Sequence, residues 1–196
     1  MCKICRNLRK QKIYNSNLEK MHKQSHDSYL RNIEHRKIYL LQNKEKINLQ
    51  HLARYKTDSR YRLIKQLQHA VWRILNGIIE DSFIIPYIGC DHLFLRKWFS
   101  ELFYDDMSFE NNDTWDIDHC KSISSFNIED ENSIDIFKCF NWKNLHPLKP
   151  EENNSKWTHV DLQMEKSLKN KAEEFLIKYK DNIILENGIY KWNIQI

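Results

Sequence analysis

Glycine and proline are nearly missing from this chain: three of each occur in 196 residues, and the first of them is Gly77. Because these two residue types interrupt regular backbone hydrogen bonding most effectively, the segments between them are expected to be long and mostly helical, with limited β structure. The length is enough to bury a real core, and 41% hydrophobic with 12% aromatic residues is ordinary for a globular protein. One compact domain with an appendage is the expectation.

The net charge of +4 hides an asymmetry. Residues 1–75 carry 18 Lys and Arg against 5 Asp and Glu, a net +13, while residues 76–196 carry 13 against 22, a net −9. A basic arm is joined to an acidic body. Such an arm has the electrostatic footprint of a polyanion binder, since each phosphate neutralised releases condensed counterions; a solvated helical face would give the same charge run without a partner. Five scattered cysteines fit reduced thiols in an intracellular compartment better than a disulfide framework. There is no apolar run long enough to span a bilayer, and Met1 to Lys12 is basic without the apolar centre of a secretory signal. The expectation is a protein that is not secreted and works inside a cell, off the membrane.

From Asn17 to Tyr55 the chain is helix-compatible throughout, but its apolar residues are too sparse for a wide buried stripe, so an exposed basic helix is expected. A firmer helix follows, with Asp58 or Ser59 as N-cap, Leu63, Leu67, Val71 and Ile74 on one face, and Gly77 at the C-terminal cap. After the apolar stretch Ile78 to Ile88, broken by Pro86, Asp91 caps an amphipathic segment, His92 to Tyr104, with Leu95, Trp98, Phe99 and Leu102 inward. Thr114 to Cys120 reads as a strand with Asp116 and Asp118 on one face and Trp115 and Ile117 on the other. Ser133 to Phe140 reads as a short helix, and Trp142 to Leu148 as a second strand ended by Pro147. Pro150 suits the first turn of a helix running through Asn153, and Asn187-Gly188 between apolar runs signals a hairpin.

The series Trp115-Asp116-Ile117-Asp118-His119, Phe126, Phe140-Asn141-Trp142-Lys143-Asn144-Leu145-His146-Pro147-Leu148 and Glu152-Asn153-Asn154-Ser155-Lys156 resembles the HNH, or ββα-metal, nucleases. With Gly89-Cys90 and Met107-Ser108-Phe109 upstream, the likeness covers about residues 87–157 and is to a branch common in phages and large DNA viruses. It implies an α+β fold, mainly helical, with a ββα-metal core, an N-terminal basic helical arm and a C-terminal helix plus hairpin. The expected divisions are 1–77 for the arm, 78–160 for the nuclease core and 161–196 for the C-terminal helix and hairpin.

The resemblance also implies roles. His119 is the general base, Asp118 a metal ligand, Asn144 the residue that fixes the loop bearing His119, and Asn153 the second ligand. Many relatives carry His where this chain has Asn153, and the exchange goes with an oxygen-only site, hence one Mg²⁺ or Mn²⁺. Asp116 either supports the metal through water or caps a loop; Lys156 either touches phosphate or is a solvated charge. His146 is expected to be a spectator, and His159 has the wrong spacing for a ligand. Trp115, Phe126, Trp142 and Trp157 are expected in the core, with Cys90, Cys120 and Cys139 buried. Cys2-Lys3-Ile4-Cys5 is half a zinc site, and the second pair upstream that relatives often have has no counterpart before Met1, so a structural zinc is not expected. Arg6, Arg9, Lys10, Lys12, Arg54, Lys56, Arg60 and Arg62 are the candidate DNA contacts.

The residue types also suit the chemistry directly. Phosphodiester hydrolysis needs a nucleophile near neutral pH, and a histidine of unperturbed pKa about 6.5 can take a proton from water there. It also needs charge stabilisation at the phosphate and leaving 3′ oxygen, which a hard cation on carboxylate and amide oxygens supplies. The expected partner is double-stranded DNA, in host cytoplasm or nucleus if the protein is viral. A double-strand cut by a one-site enzyme calls for a dimer. The rival from another class is a catalytically inactive DNA-binding or packaging protein of the same fold; an RNA-directed nuclease is a third reading.

Overall fold

The computed structural model describes residues 10, 17–78, 83–156 and 162–193. Arg6, Arg9, Lys12, Cys2, Cys5, Trp157, His159 and the side chain of Lys156 lie outside what it describes. The described residues are mainly helical with two short antiparallel strand pairs, an α+β arrangement. Among the described residues no helix is long and apolar enough to cross a membrane.

Within the first breaker-free stretch lies one continuous helix, α1 (Leu18–Thr57), of 40 residues, about 60 Å long at 1.5 Å per residue. Ile38, Leu41, Leu49 and Leu52 are exposed along it, as expected for a helix without an apolar stripe. It stops at Asp58, whose extended backbone begins α2 (Ser59–Leu75). Asp58 Oδ1 accepts from the Tyr61 N–H at 2.8 Å, and that bond comes first among the causes holding its carboxyl below the usual range. Arg62 reaches back to donate to the carbonyls of Tyr55 (3.2 Å) and Lys56 (3.4 Å). The orphan donors of one helix end and the orphan acceptors of the other are thus met within one turn.

Helix α2 buries Leu67, Ala70, Val71, Ile74 and Leu75 in the main core; Leu63 is half-buried. Gly77 ends it with φ +68°, its N–H bonding Ile74 O (3.1 Å) and that of Ile78 bonding Arg73 O (3.0 Å), the paired closure that a left-handed residue permits. After α3 (Ile85–Ile88), Gly89 turns the chain at φ +71°, and a Cβ there would come within 3.0 Å of Asn141 Nδ2. Asp91 then does two jobs. Its Oδ1 caps α4 (His92–Leu102) through the Phe94 N–H at 2.7 Å, and its Oδ2 accepts from the Trp192 N–H at 3.0 Å.

Trp192 ends the hairpin formed by β3 (Ile183–Glu186) and β4 (Ile189–Trp192). Asn187 and Gly188 both have positive φ at its turn, as the twist of a two-residue hairpin requires. The hairpin docks on the residues before α4 through Tyr190 N to Gly89 O (3.0 Å) and Asp91 N to Tyr190 O (2.8 Å). Helix α7 (Leu162–Lys178) adds Leu168, Ala172 and Phe175 to the core. There Phe94 and Trp98 meet Trp142 and Phe175 edge to face, with centroids 4.9–5.4 Å apart, a preferred aromatic geometry.

The second strand pair joins β1 (Asp116–His119) to β2 (Leu145–Leu148), flanked by α5 (Ile134–Phe140) and α6 (Pro150–Lys156). The strand expected from Trp142 is shorter than its sequence suggested. Residues 142–144 form a single 3-10 turn, because Asn141 accepts from the Lys143 N–H through its side chain (3.1 Å) and from the Asn144 N–H through its carbonyl (2.8 Å). Pro147 lies inside the strand opposite Ile117; each strand of a two-stranded pair has an open edge, where a missing N–H is tolerated. Helix α4 ends at Leu102, two residues before the expected limit.

Glu101 links α4 to the end of α7, accepting from Lys178 (2.6 Å), Tyr179 (2.5 Å) and Lys97 (3.0 Å). Burial opposes its charge, yet the three donors bring its pKa from the usual 4.5 down to about 2. A depressed carboxylate stabilises the fold above its unfolded pKa and loses that contribution as pH falls through the folded value. Discounted for a side chain 27% exposed, Glu101→Gln should cost about 1–2 kcal/mol at pH 7. Urea unfolding of the two proteins should show that gap closing between pH 4.5 and pH 2; a constant gap would assign the cost to packing instead.

Candidate active site

The site is assembled where β1 ends. Antiparallel pairing sets Asp116 opposite Leu148, Asp118 opposite His146 and His119 opposite Leu145. Strand β2 is buried along its whole length, and the indole N–H of Trp98 donates to Leu145 O at 2.9 Å, so the strand beneath His119 is fixed from the core side.

Asn144 fixes the other side. Its Oδ1 accepts from the Lys121 N–H (2.8 Å), while its Nδ2 donates to Lys121 O (3.2 Å) and Cys139 O (2.8 Å). Its backbone carbonyl also accepts from the Cys120 N–H at 2.8 Å. One residue therefore holds both peptide positions that follow His119 and ties them to the end of α5. The imidazole, in a residue only 7% exposed, meets Phe140 edge to face at 5.1 Å.

His119 opens into a cleft of about 360 Å³, which Asp116 and Asn153 also line. Asn153 Nδ2 donates to Asp116 Oδ2 at 3.1 Å, and α6, which carries Asn153, packs on β1. Helix α2 also lines the cleft, through Gln68, Val71 and Trp72. Asp118 has a different neighbour. Its carboxylate, in a side chain 14% exposed, lies 3.1 Å from Nε2 of the buried His146, an ion-pair distance without hydrogen-bond alignment.

The structure thus couples Asn153 to Asp116 and Asp118 to His146, where the sequence suggested Asp118 with Asn153 and left His146 aside. Register explains the second pairing, since residues directly opposite in an antiparallel pair share a face, and the strand read alone could not reveal its partner. Tyr104 donates to Glu152 at 2.5 Å, anchoring the first turn of α6 to the chain after α4.

The donor set can be tested against a metal. Among the described residues no group of three or more His, Cys, Asp and Glu gathers, so the cleft has no zinc-type cage. It offers the carboxylate of Asp116 and the amide of Asn153, with Asp118 two residues along β1. Such oxygen donors fit a hard cation that keeps water and takes substrate oxygens for its remaining positions.

Several basic candidates have local partners. Arg54 pairs with Asp58 at 3.1 Å and lies 4.4 Å over the Tyr61 ring, Arg60 donates to Phe126 O at 3.4 Å, and Arg62 serves the end of α1. Lys10 and Lys56 are exposed. Cys90, Cys120 and Cys139 are buried, as expected, and burial pushes the Cys139 thiol up to about 12.

Over 190 residues the chain is 32% identical to "Uncharacterized protein L426" of Acanthamoeba polyphaga mimivirus, covering 94% of this chain and 80% of that protein. The chain belongs to the family of that mimiviral protein. A further relative from the same virus, "Uncharacterized protein L246", is 34% identical over 111 residues, covering 54% of this chain and 48% of its own length. The match to L246 therefore spans about half of each protein. No family model matches the chain, and no solved structure does.

In this member of the L426 family the Asn144 clamp gives a direct test. Asn144→Ala would leave the Lys121 N–H and the Cys139 carbonyl without their partner, at about 2–3 kcal/mol in urea unfolding. Asn144→Asp keeps the acceptor but loses both donated bonds and should rescue only part of that. A loss below about 0.5 kcal/mol in both would show that the amide does not hold the turn.

Proposed function

We propose that this protein is a metal-dependent endonuclease of the HNH, or ββα-metal, type that hydrolyses DNA phosphodiester bonds. The observation that carries the reading is the Asn144 amide clamped on the two residues after His119, which is the role the resemblance implies for Asn144. Two features support it: an antiparallel strand pair followed by a helix packed on β1, and Asn153 returned by that helix to the cleft that His119 lines.

His119 takes a proton from water, the water oxygen attacks phosphorus, and the bond to the 3′ oxygen breaks. Edge-on packing against Phe140 and the fixed loop hold the imidazole in one orientation, so little reorganisation is needed. Asp116, Asn153 and Asp118 are the residues that would hold Mg²⁺ or Mn²⁺. When bound, that ion supplies Lewis-acid stabilisation of phosphate and leaving-group charge. The basic N-terminal segment supplies affinity for the phosphate backbone.

The test is incubation of supercoiled plasmid with the purified protein and Mg²⁺ or Mn²⁺. The wild type should give nicked or linear product, and His119→Ala should cut at least about 100-fold more slowly. Binding to the same DNA in EDTA should stay within about twofold, because the base acts only in the transition state. Equal cutting by His119→Ala, or no cutting of either plasmid or single-stranded DNA by the wild type with either metal, would overturn the reading.

A further inference from the structure

Part of the wall of the cleft that His119 lines comes from α2, which the nuclease resemblance does not cover. On one face of that helix Lys65, Gln68, His69 and Trp72 stand at i, i+3, i+4 and i+7, the spacing of an aligned stripe. Trp72 lines the cleft together with His119, Asp116 and Asn153, yet it is 45% exposed. Every other described tryptophan, Trp192 apart, is buried in the core. The exposed His69 ring lies parallel to the Trp72 indole, within 4°, with centroids 6.3 Å apart. Gln68 holds the Lys65 ammonium at 3.0 Å, which sets a cation on the same stripe.

A flat, solvent-facing indole lining a cleft, with a parallel imidazole beside it and a cation on the same stripe, matches what a nucleic-acid strand presents. Bases offer π faces for stacking and the backbone offers phosphates. A fully paired duplex hides those faces within its own stack, so an indole can take a base only where it is unpaired or displaced. The geometry points to Trp72 as the stacking platform of a base-binding subsite beside His119, with Lys65 on the adjoining backbone. The substrate class is accordingly a DNA strand whose base next to the cut is unpaired: single-stranded, gapped or distorted. This inference rests on the nuclease reading for its place in the reaction, but its binding step can be measured separately.

The experiment uses the full chain in EDTA, so that cutting does not intervene, with a fluorescein-labelled single-stranded oligodeoxynucleotide and the duplex of the same sequence. Trp72→Ala should weaken single-strand binding about tenfold without changing its salt dependence, should leave duplex binding within about twofold, and should keep the wild-type helical circular dichroism. Trp72→Phe should retain most of the affinity while losing the part of the tryptophan fluorescence quenching that the unlabelled strand produces in the wild type. Equal single-strand affinities for wild type and Trp72→Ala, or equal quenching in Trp72→Phe, would overturn the subsite. If Trp72-dependent binding is found but the wild type cuts neither plasmid nor the single strand with Mg²⁺ or Mn²⁺, the subsite stands and the nuclease reading alone fails.

Discussion

A single side-chain amide sets the geometry at the end of β1. Asn144 sits between the turn that starts at Asn141 and strand β2, and its bonds to Lys121 and Cys139 join the chain after His119 to the end of α5. Without them the two peptide units after His119 would need water for their polar groups, and the imidazole would sit on a mobile loop. With them, the ring is pinned from both directions, by Phe140 at its edge and by a strand that Trp98 holds to the core. Neutral hydrogen bonds of this kind are individually modest. Their value here is that one rigid group satisfies several backbone atoms at once.

The distribution of charge follows from the same architecture. The body around the site is acidic and would by itself repel a polyanion, while the N-terminal segment carries the compensating excess of Lys and Arg. Helix α1 packs against both α2 and α6, so the basic segment lies on the helix that returns Asn153 to the cleft. Helix α2 belongs to the same core as α4 and α7 and also walls the cleft. The excess of positive charge and the candidate catalytic groups are in this way mechanically connected.

Much of the fold was legible because it rests on local rules. The scarcity of Gly and Pro foretold a helical chain, the caps at Asp58 and Asp91 and the closure at Gly77 lie where expected, and Asn187-Gly188 turns a hairpin. The neighbours of Asp116 and His146 were not legible, because they depend on register across β1 and β2 and on the approach of α6. A strand read alone shows which residues share a face but not what they oppose. That Gln68 and Trp72 line the cleft was hidden for a related reason: the apolar face of α2 announced a core helix, and nothing in its spacing said that the helix would share a cleft with His119.

The central proposal is that Asp116, Asp118 and Asn153 would hold a divalent ion beside His119, and it can be tested without any turnover. Substoichiometric Mn²⁺ added to the isotopically labelled protein should broaden the backbone amide signals of Asp116, Asp118, His119 and Asn153 first, in the wild type and in His119→Ala alike, before those of the hairpin turn at Asn187 and Gly188. Broadening centred elsewhere, or unchanged by Asp116→Ala combined with Asn153→Ala, would contradict the account.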